Sequence, residues 1–127
     1  MTVILVREFL QLTGGSYKKI TAVEADRRNY RKLCAKKEGL KNVQLVEAAV
    51  WDEDTELDFS DSGGRQSTLI NAHKRKVRAL KMDNLLQNEA VTYIKMDVEG
   101  AEKQALSGLK QHIRSGRPKN VYCCLSL

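Results

Sequence analysis

Several features that would assign this 127-residue chain to a specialised class of protein are scarce or absent. Pro118 is the only proline, and no run rich in serine, glycine and proline marks a linker between domains. No G-x-G sequence occurs, although the nucleotide loop of a nicotinamide-dependent enzyme requires one. The three cysteines, Cys34, Cys123 and Cys124, lack the spacing of metal ligands or of a redox pair. We therefore expect no metal site and buried thiols in a reducing cytoplasm.

Long hydrophobic runs are also missing. Residues 2–6 are apolar, but Arg7 and Glu8 end the run far short of the roughly 18 residues of a membrane span. The segment also lacks the basic start and the cleavage site of a signal peptide. With 42% hydrophobic and 30% charged residues, the composition is typical of one globular domain with one core. We expect a single domain over residues 1–127, located in the cytoplasm and not bound to a membrane.

The charge balance is basic, with a formal net charge of +6. The bases cluster at 27–28, 31–32, 36–37 and 73–76. Such clusters can attract nucleic acid or an acidic ligand. No aromatic side chains alternate with them to stack on bases, and on a helix most of them would form an ordinary solvated face. Nucleic acid is therefore not expected as a partner.

The apolar pattern alternates between strands and helices. Helices are predicted at residues 4–12, 27–38 and 99–115, with a short helical turn at 83–87. Strands are predicted at residues 20–25, 43–51, 91–97 and 121–125, with a local pair formed by 56–60 and 76–80. Gly14-Gly15 should end the first helix, and Asp26 and Gly39 should cap the second. Because strands alternating with helices form right-handed βαβ units, an α/β fold with a mostly parallel sheet is expected.

Two of the predicted strands end in acidic residues. The strand at 20–25 runs into Glu24-Ala25-Asp26, and the strand at 91–97 runs into Asp97-Val98-Glu99. Ligands of open α/β sheets bind outside the carboxyl ends of the strands. These carboxylates are therefore candidates for a functional site, whereas His73 and His112 lie in polar sequence without ligand spacing and are assigned no function.

Three blocks together carry a family resemblance. They are Val23-Glu24-Ala25-Asp26 with Tyr30, then Val43 with Ala48-Ala49-Val50, then Ile94-Lys95-Met96-Asp97-Val98-Glu99-Gly100-Ala101-Glu102. Their order resembles that of the FkbM-type S-adenosylmethionine-dependent methyltransferases over nearly the whole chain. The resemblance implies a Rossmann-like class I methyltransferase sheet, the cofactor S-adenosyl-L-methionine, and O-methylation of a hydroxyl on a sugar or other small-molecule metabolite.

The resemblance also implies roles for individual residues. Glu24, in the turn that continues through Ala25 and Asp26, would hold the ribose hydroxyls of the cofactor. The strand end at Ala48 and Ala49 would border the adenine. Asp97 would face the methionine or the acceptor, and Asp97 or Glu99 would be the catalytic base where a hydroxyl must lose its proton. Glu102 is a further candidate for that base.

These residue types suit the implied roles physically, but each also has a structural explanation. A carboxylate at a strand end can accept both ribose hydroxyl protons, and small alanines let a flat ring approach the backbone. Conversely, Glu99 and Glu102 would lie in the first turn of a helix, where negative charge is favourable in any protein. Asp26 is expected to cap the following helix, so Glu24 is not needed for that structural role, which favours ligand binding by Glu24. Asp97 would need only a partner or solvent to offset its position at the end of an apolar strand.

The chain lacks two parts of the resembled sheet. No glycine-rich loop follows a first strand, and the sequence stops near the fifth strand, so we expect an internal segment truncated at both ends. The missing central strand would leave a gap that closes by direct strand pairing, by recruitment of residues 2–6, or by self-association through exposed edges. A non-catalytic fragment and a basic α/β module for acidic ligands or nucleic acid are the alternative functions.

Overall fold

A computed structural model describes residues 10–11, 14–60, 74–96, 98, 100–116, 118 and 120–123. The elements in chain order are β1 (Ile20–Glu24), α1 (Arg27–Lys36), β2 (Val43–Glu47), β3 (Ala49–Trp51), β4 (Thr55–Ser60), β5 (Lys74–Lys81), α2 (Met82–Leu86), β6 (Tyr93–Met96), α3 (Glu102–Gly108), α4 (Lys110–Gly116) and β7 (Asn120–Cys123). The fold is mixed α/β, as the alternating pattern predicts.

The first βαβ unit agrees closely with the sequence. β1 and β2 are parallel, with Ile20 opposite Val43 and Glu24 opposite Glu47. The Asp26 carboxylate caps α1 by accepting the Asn29 N–H at 2.9 Å. Leu33 is the buried residue of this helix, so α1 covers the sheet with a narrow apolar stripe and exposes its basic residues. The predicted strand, cap and solvated basic face are confirmed.

The ends of the first two predicted helices differ in how glycine is used. Gly14 and Gly15 have positive φ values, and their N–H groups bond to the carbonyls of Gln11 and Leu10, as at a Schellman helix end. The predicted stop there is confirmed, although most of the 4–12 segment lies outside the described residues. The prediction that Gly39 caps the second helix is wrong. α1 ends at Lys36, and the residue with positive φ in the connection to β2 is Asn42.

The strand predicted over residues 43–51 is divided into β2 and β3 at Ala48. The Ala48 N–H still donates to the Glu24 carbonyl at 3.1 Å, but Ala49 is already paired with Ala79 of β5. The chain therefore leaves the β1–β2 ladder at Ala48 and enters a second ladder. The apolar pattern of residues 43–51 does not reveal this change of partner strand, because the chain is extended on both sides of Ala48.

The second ladder contains the predicted local pair. β4 runs antiparallel to β5, with Thr55 opposite Ala79, and β3 lies parallel on the other side of β5. In the turn between β3 and β4, Asp54 accepts the Lys81 N–H at 2.7 Å and the Asn84 amide at 3.1 Å. These hydrogen bonds lower the pKa of Asp54. The predicted loop containing Gly63-Gly64 lies outside the described residues, as does His73.

The helix predicted over residues 99–115 is two helices, α3 and α4, separated at Leu109. A methyl group on Gly108 would lie 2.1 Å from the Trp51 carbonyl oxygen, so α3 approaches β3 closely at its last residue. The predicted apolar positions continue across the break, with Ala105 and Leu109 buried and Ala101 and Ile113 half-buried. The apolar spacing was therefore informative, although the helix is not continuous.

The core joins these parts into one cluster formed by Val23, Val46, Ala48, Met82, Leu86, Ile94, Met96, Ala105 and Leu109. β6 and β7 form a third, parallel ladder. Among the described strands three pairings are parallel and one is antiparallel, in three small ladders, and none of these ladders joins β1–β2 directly to β6–β7. Direct pairing across the expected gap is thus not found in this part of the chain, and residues 2–6 lie outside it.

Candidate functional site

The candidate site lies at the carboxyl edge of the β1–β2 ladder. Because the two strands are parallel and Glu24 is opposite Glu47, the residues that follow both strands meet at this edge. The structure thereby brings together the predicted residues of the two strand ends, Glu24, Ala25, Asp26, Ala48 and Ala49.

Glu24 is the central polar group of this edge. Its residue is 7% exposed, which is rare for a glutamate without hydrogen-bonding partners. Its Oε1 atom accepts the Asp26 N–H at 2.8 Å, and its main-chain carbonyl accepts the Ala48 N–H. Glu24 therefore joins its own turn to the neighbouring strand and presents a carboxylate at the strand end.

Ala25 and Asp26 complete the turn after β1. The Ala25 carbonyl accepts a hydrogen bond from the Arg75 Nη2 atom at 2.9 Å. The Asp26 carboxylate is used as the cap of α1, which is the structural explanation given from the sequence. Both residues thus shape the turn through contacts visible in the fold.

The two alanines follow β2 at the strand end beside Glu24. Ala48 is 1% exposed and belongs to the core, whereas Ala49 is half-buried at the start of β3. A larger side chain at Ala48 would collide with the packed interior. The strand end beside Glu24 therefore carries only small side chains at these two positions.

A charged group around Glu47 was not identified from the sequence. The Glu47 Oε1 atom lies 3.4 Å from Arg27 Nε and 3.5 Å from Arg75 Nη1. The parallel register opposite Glu24 could have indicated Glu47 once β1 and β2 were paired. Arg75 had no such signal, because it was one residue in a basic run and its strand joins a different ladder.

The second acidic strand end is only partly described. Asp97 and Glu99 lie outside the described residues. Glu102 begins α3, three residues later than the predicted helix start, and its Oε1 atom accepts the Gly100 N–H at 3.3 Å. Gly100 has φ +79°, a conformation that favours glycine and separates β6 from the helix. The local contact of Glu102 agrees with its structural explanation.

A second buried carboxylate, Asp83, is paired with His112. The two side chains are hydrogen-bonded at 2.6 Å between Asp83 Oδ1 and His112 Nδ1, and the residues are 5% and 7% exposed. Asp83 also accepts the N–H groups of Gln111 and His112 and so caps the start of α4. The sequence-based description of His112 as lying in polar surroundings is wrong, because tertiary packing buries it.

The pKa of Asp83 reflects two opposed effects. Burial raises it, and the hydrogen bonds from the His112 side chain and from the Gln111 and His112 backbone lower it by more, so the net shift is downward. Residues 83 and 112 are far apart in sequence, and no local pattern connects them. Asp83 makes its described side-chain contacts with α4, which identifies it as a structural cap.

One cysteine prediction is also corrected. Cys34 lies on α1 and is exposed, because the helix turns only Leu33 into the interior at this point. A hydrogen bond with Cys34, together with burial, raises the pKa of Tyr30. The prediction of buried thiols at Cys123 and Cys124 falls on side chains outside the described part of the structure.

The described surface also contains an open depression of about 300 Å³ lined by Lys18, Lys19, Asn42, Val43 and Gln44. It lies at the amino end of the β1–β2 ladder, opposite to Glu24, and Lys19 is ion-paired with Glu89. Within the described ranges no cluster of three metal-ligating side chains occurs, and no helix there is long and apolar enough to cross a bilayer. The depression brings no reactive groups together, so the carboxyl edge remains the candidate site.

Comparison with known proteins places the fold. No curated protein matches the sequence. The crystal structure of Methyltransferase FkbM from Methylobacillus flagellatus KT is similar, with a TM-score of 0.72 and 19% sequence identity. The match covers 91% of this chain and 28% of that chain, so this chain spans well under half the length of its structural relative.

The family assignment rests on a separate sequence comparison. The family model described as Methyltransferase FkbM domain matches residues 5–126, which include the paired strand ends, the buried Glu24 and the Asp97 to Glu102 block. The match extends over nearly the whole chain and confirms the resemblance inferred from the sequence motifs. This chain belongs to the FkbM methyltransferase domain family.

Proposed function

We propose that this chain forms the cofactor-binding part of an S-adenosyl-L-methionine-dependent methyltransferase domain with a Rossmann-like sheet. The observation that carries the proposal is the buried Glu24 carboxylate at the carboxyl end of β1, beside the small residue Ala48. In doubly wound α/β folds an acidic residue at such a strand end binds the ribose hydroxyls of a nucleotide.

The residues at this edge fit the nucleoside part of the cofactor. The Glu24 side chain is oriented by a hydrogen bond from the Asp26 N–H. A carboxylate held in this way can accept hydrogen bonds from two vicinal hydroxyl groups. Ala48 and Ala49 leave the strand end without bulky side chains, as an adenine ring would require. Glu24, Ala25, Asp26, Ala48 and Ala49 would therefore hold the cofactor, together with Asp97 toward its methionine end.

When bound, the cofactor supplies a methyl group on a positively charged sulfur, which an acceptor oxygen attacks in line. The protein's part in such a reaction is to align the reactants and to exclude water. We propose a hydroxyl of a sugar or another small-molecule metabolite as the acceptor. Asp97 or Glu99 would take the hydroxyl proton, since a carboxylate within hydrogen-bond reach can act as a general base.

Two further proposals concern the state of the protein. Among the described strands the three ladders are separate, and another copy of the chain could pair with their outer strands, so we propose self-association. A monomeric hydrodynamic radius at tens of micromolar protein (a concentration suited to weak strand-edge association) would contradict it. We propose the cytoplasm as the location, and immunofluorescence with compartment markers tests this.

The experiment that tests the cofactor proposal is calorimetric titration of S-adenosylhomocysteine into the folded chain. Glu24→Gln removes the charge and one acceptor site while keeping the side-chain shape, so we expect about tenfold weaker binding or more. Glu53→Gln is the matched control, because Glu53 is exposed in the turn before β4. Saturable binding that only Glu24→Gln weakens supports the proposal.

Absence of binding by a chain shown to be folded contradicts the proposal. The alternatives would then be a non-catalytic fragment or a basic module for acidic ligands or nucleic acid. Binding of a nucleic acid with a steep salt dependence would favour the basic module.

A further inference from the structure

Arg75 connects the hairpin strand β5 to the turn that carries Glu24. Its Nη2 atom donates to the Ala25 carbonyl at 2.9 Å, and its Nη1 atom lies 3.5 Å from Glu47 Oε1. The Arg75 side chain is 19% exposed, well below the 53% of Arg27, which approaches the same Glu47 oxygen from α1. Arg75 is therefore an anchored, mostly buried cation beside the candidate site.

The Ala25 carbonyl and the Asp26 N–H belong to the same peptide group. Arg75 donates to the oxygen of this group, and the N–H of the same group, on Asp26, donates to Glu24 Oε1 at 2.8 Å. A trans peptide is planar, so fixing the oxygen also fixes the direction of the N–H. The guanidinium is thus connected to the Glu24 carboxylate through one planar peptide group.

The charge of Arg75 strengthens the same connection. A cationic donor makes a stronger hydrogen bond than a neutral one, and it polarises the amide that it binds. Polarisation of the Ala25 carbonyl makes the Asp26 N–H a better donor to Glu24. The two hydrogen bonds therefore connect Arg75 to Glu24 both geometrically and electrostatically.

We propose that Arg75 is a positioning residue that orients the Glu24 carboxylate for the ribose hydroxyls of the cofactor, through the Ala25–Asp26 peptide group. The inference rests on the proposed function of Glu24. It differs from a simple ion pair with Glu47, because that pair could be lost without changing the turn.

The test compares Arg75→Met and Arg75→Lys with two control variants. Arg27→Met removes the other cation at Glu47, and Arg78→Met removes an exposed arginine from the same strand. Three quantities are measured for each protein: the affinity for S-adenosylhomocysteine, the hydrogen-exchange rate of the Asp26 amide without ligand, and Tm.

We expect Arg75→Met to weaken binding about tenfold, as for loss of a hydrogen bond from a charged group. Its Asp26 amide should exchange faster than in the parent chain, because the peptide group that presents it is no longer held. Arg75→Lys should restore part of both properties, because an ammonium can bind the carbonyl but cannot span both acceptors. The two control variants should leave affinity and Asp26 exchange unchanged.

Each other result would overturn the inference in a distinguishable way. Equal affinity in the parent chain and Arg75→Met would overturn the positioning role while leaving the proposed function intact. Weaker binding with unchanged Asp26 exchange would mean that Arg75 does not act through the peptide group. A parallel loss of affinity and Tm in Arg78→Met would overturn the inference, because loss of an arginine that does not contact the turn would then have the same effect through general destabilisation. Failure of the folded parent chain to bind would overturn both proposals together.

Discussion

Glu24 and Asp83, the two buried carboxylates among the described residues, are almost equally shielded but have different surroundings. Asp83 accepts the N–H groups of Gln111 and His112 and pairs with the His112 ring, so all of these contacts come from one helix, α4. Glu24 lies at the end of a strand, and its contact with Asp26 orients it within a turn at the carboxyl edge. Burial of a carboxylate alone therefore does not identify a ligand site. Its position in the sheet and the source of its partners separate a structural role from a binding role.

The largest expected effect is on the structural side of this comparison. Asp83→Ala leaves the buried His112 ring and N–H and the part-buried Gln111 N–H without their acceptor, and we expect the free energy of unfolding to fall by about 3–5 kcal/mol. Urea denaturation measures it. Asp54→Ala is the control, because its carboxylate also accepts two hydrogen bonds but is exposed, and its effect should be much smaller. Equal losses in the two variants would remove the distinction based on burial.

The second-largest effect is expected for a substitution at Gly108, where α3 packs closely against β3. Gly108→Ala would place a methyl group 2.1 Å from the Trp51 carbonyl oxygen, so backbone must shift, at a cost of about 3 kcal/mol. Gly116→Ala is the matched control at the end of α4, where the nearest atom would be 3.4 Å away and a change within about 0.5 kcal/mol is expected. Similar denaturation midpoints for the two variants would show that the α3–β3 approach is not constrained.

Glu24→Gln should change ligand affinity and leave stability almost unchanged, whereas Asp83→Ala should mainly lower stability. The amide keeps the shape and an acceptor for the Asp26 N–H, so the free energy of unfolding should change by less than about 1 kcal/mol. Affinity for S-adenosylhomocysteine should nevertheless fall. Denaturation and calorimetry on the same preparations separate the two effects. A large stability loss with unchanged affinity would assign Glu24 a structural role like that of Asp83.

The smallest effect is the pH dependence contributed by Asp83. Its pKa is lowered in the folded protein, so its contribution to stability is present above the pKa of the unfolded chain, about 3.9 for aspartate. That contribution is lost as the pH falls from there through the lower folded-state pKa. Because burial opposes the hydrogen bonds, the change should be modest. The free energy of unfolding should be measured from about pH 6 down through the range in which aspartates protonate. It should decrease less steeply with falling pH for Asp83→Asn than for the parent chain. The same pH dependence in both proteins would contradict the assignment.

Local patterns predicted the parts of the fold in which neighbouring residues determine the outcome. The Asp26 cap, the Gly14-Gly15 helix end and the β4–β5 pair depend on short-range backbone chemistry and agree with the structure. The break at Leu109 and the division at Ala48 were not predicted. In both places the apolar spacing continues while distant partners, Trp51 and β5, redirect the chain.

The candidate site shows the same division. The sequence indicated Glu24 and the alanine strand end because strand ends and residue types are readable locally, and the family comparison agrees with the motif blocks. It did not indicate Arg75, whose contact with Ala25 crosses between two ladders, or the Asp83–His112 pair, which joins two helices.

The sequence by itself determined the α/β alternation, the acidic strand end at Glu24 and the membership in the methyltransferase family, because these depend on periodicity and on the order of short motifs. The tertiary structure decided which charges are buried, which carboxylate pairs with His112 and which arginine binds the turn after β1. These properties depend on groups brought together from distant parts of the chain, and their energies arise only when packing removes water from around them.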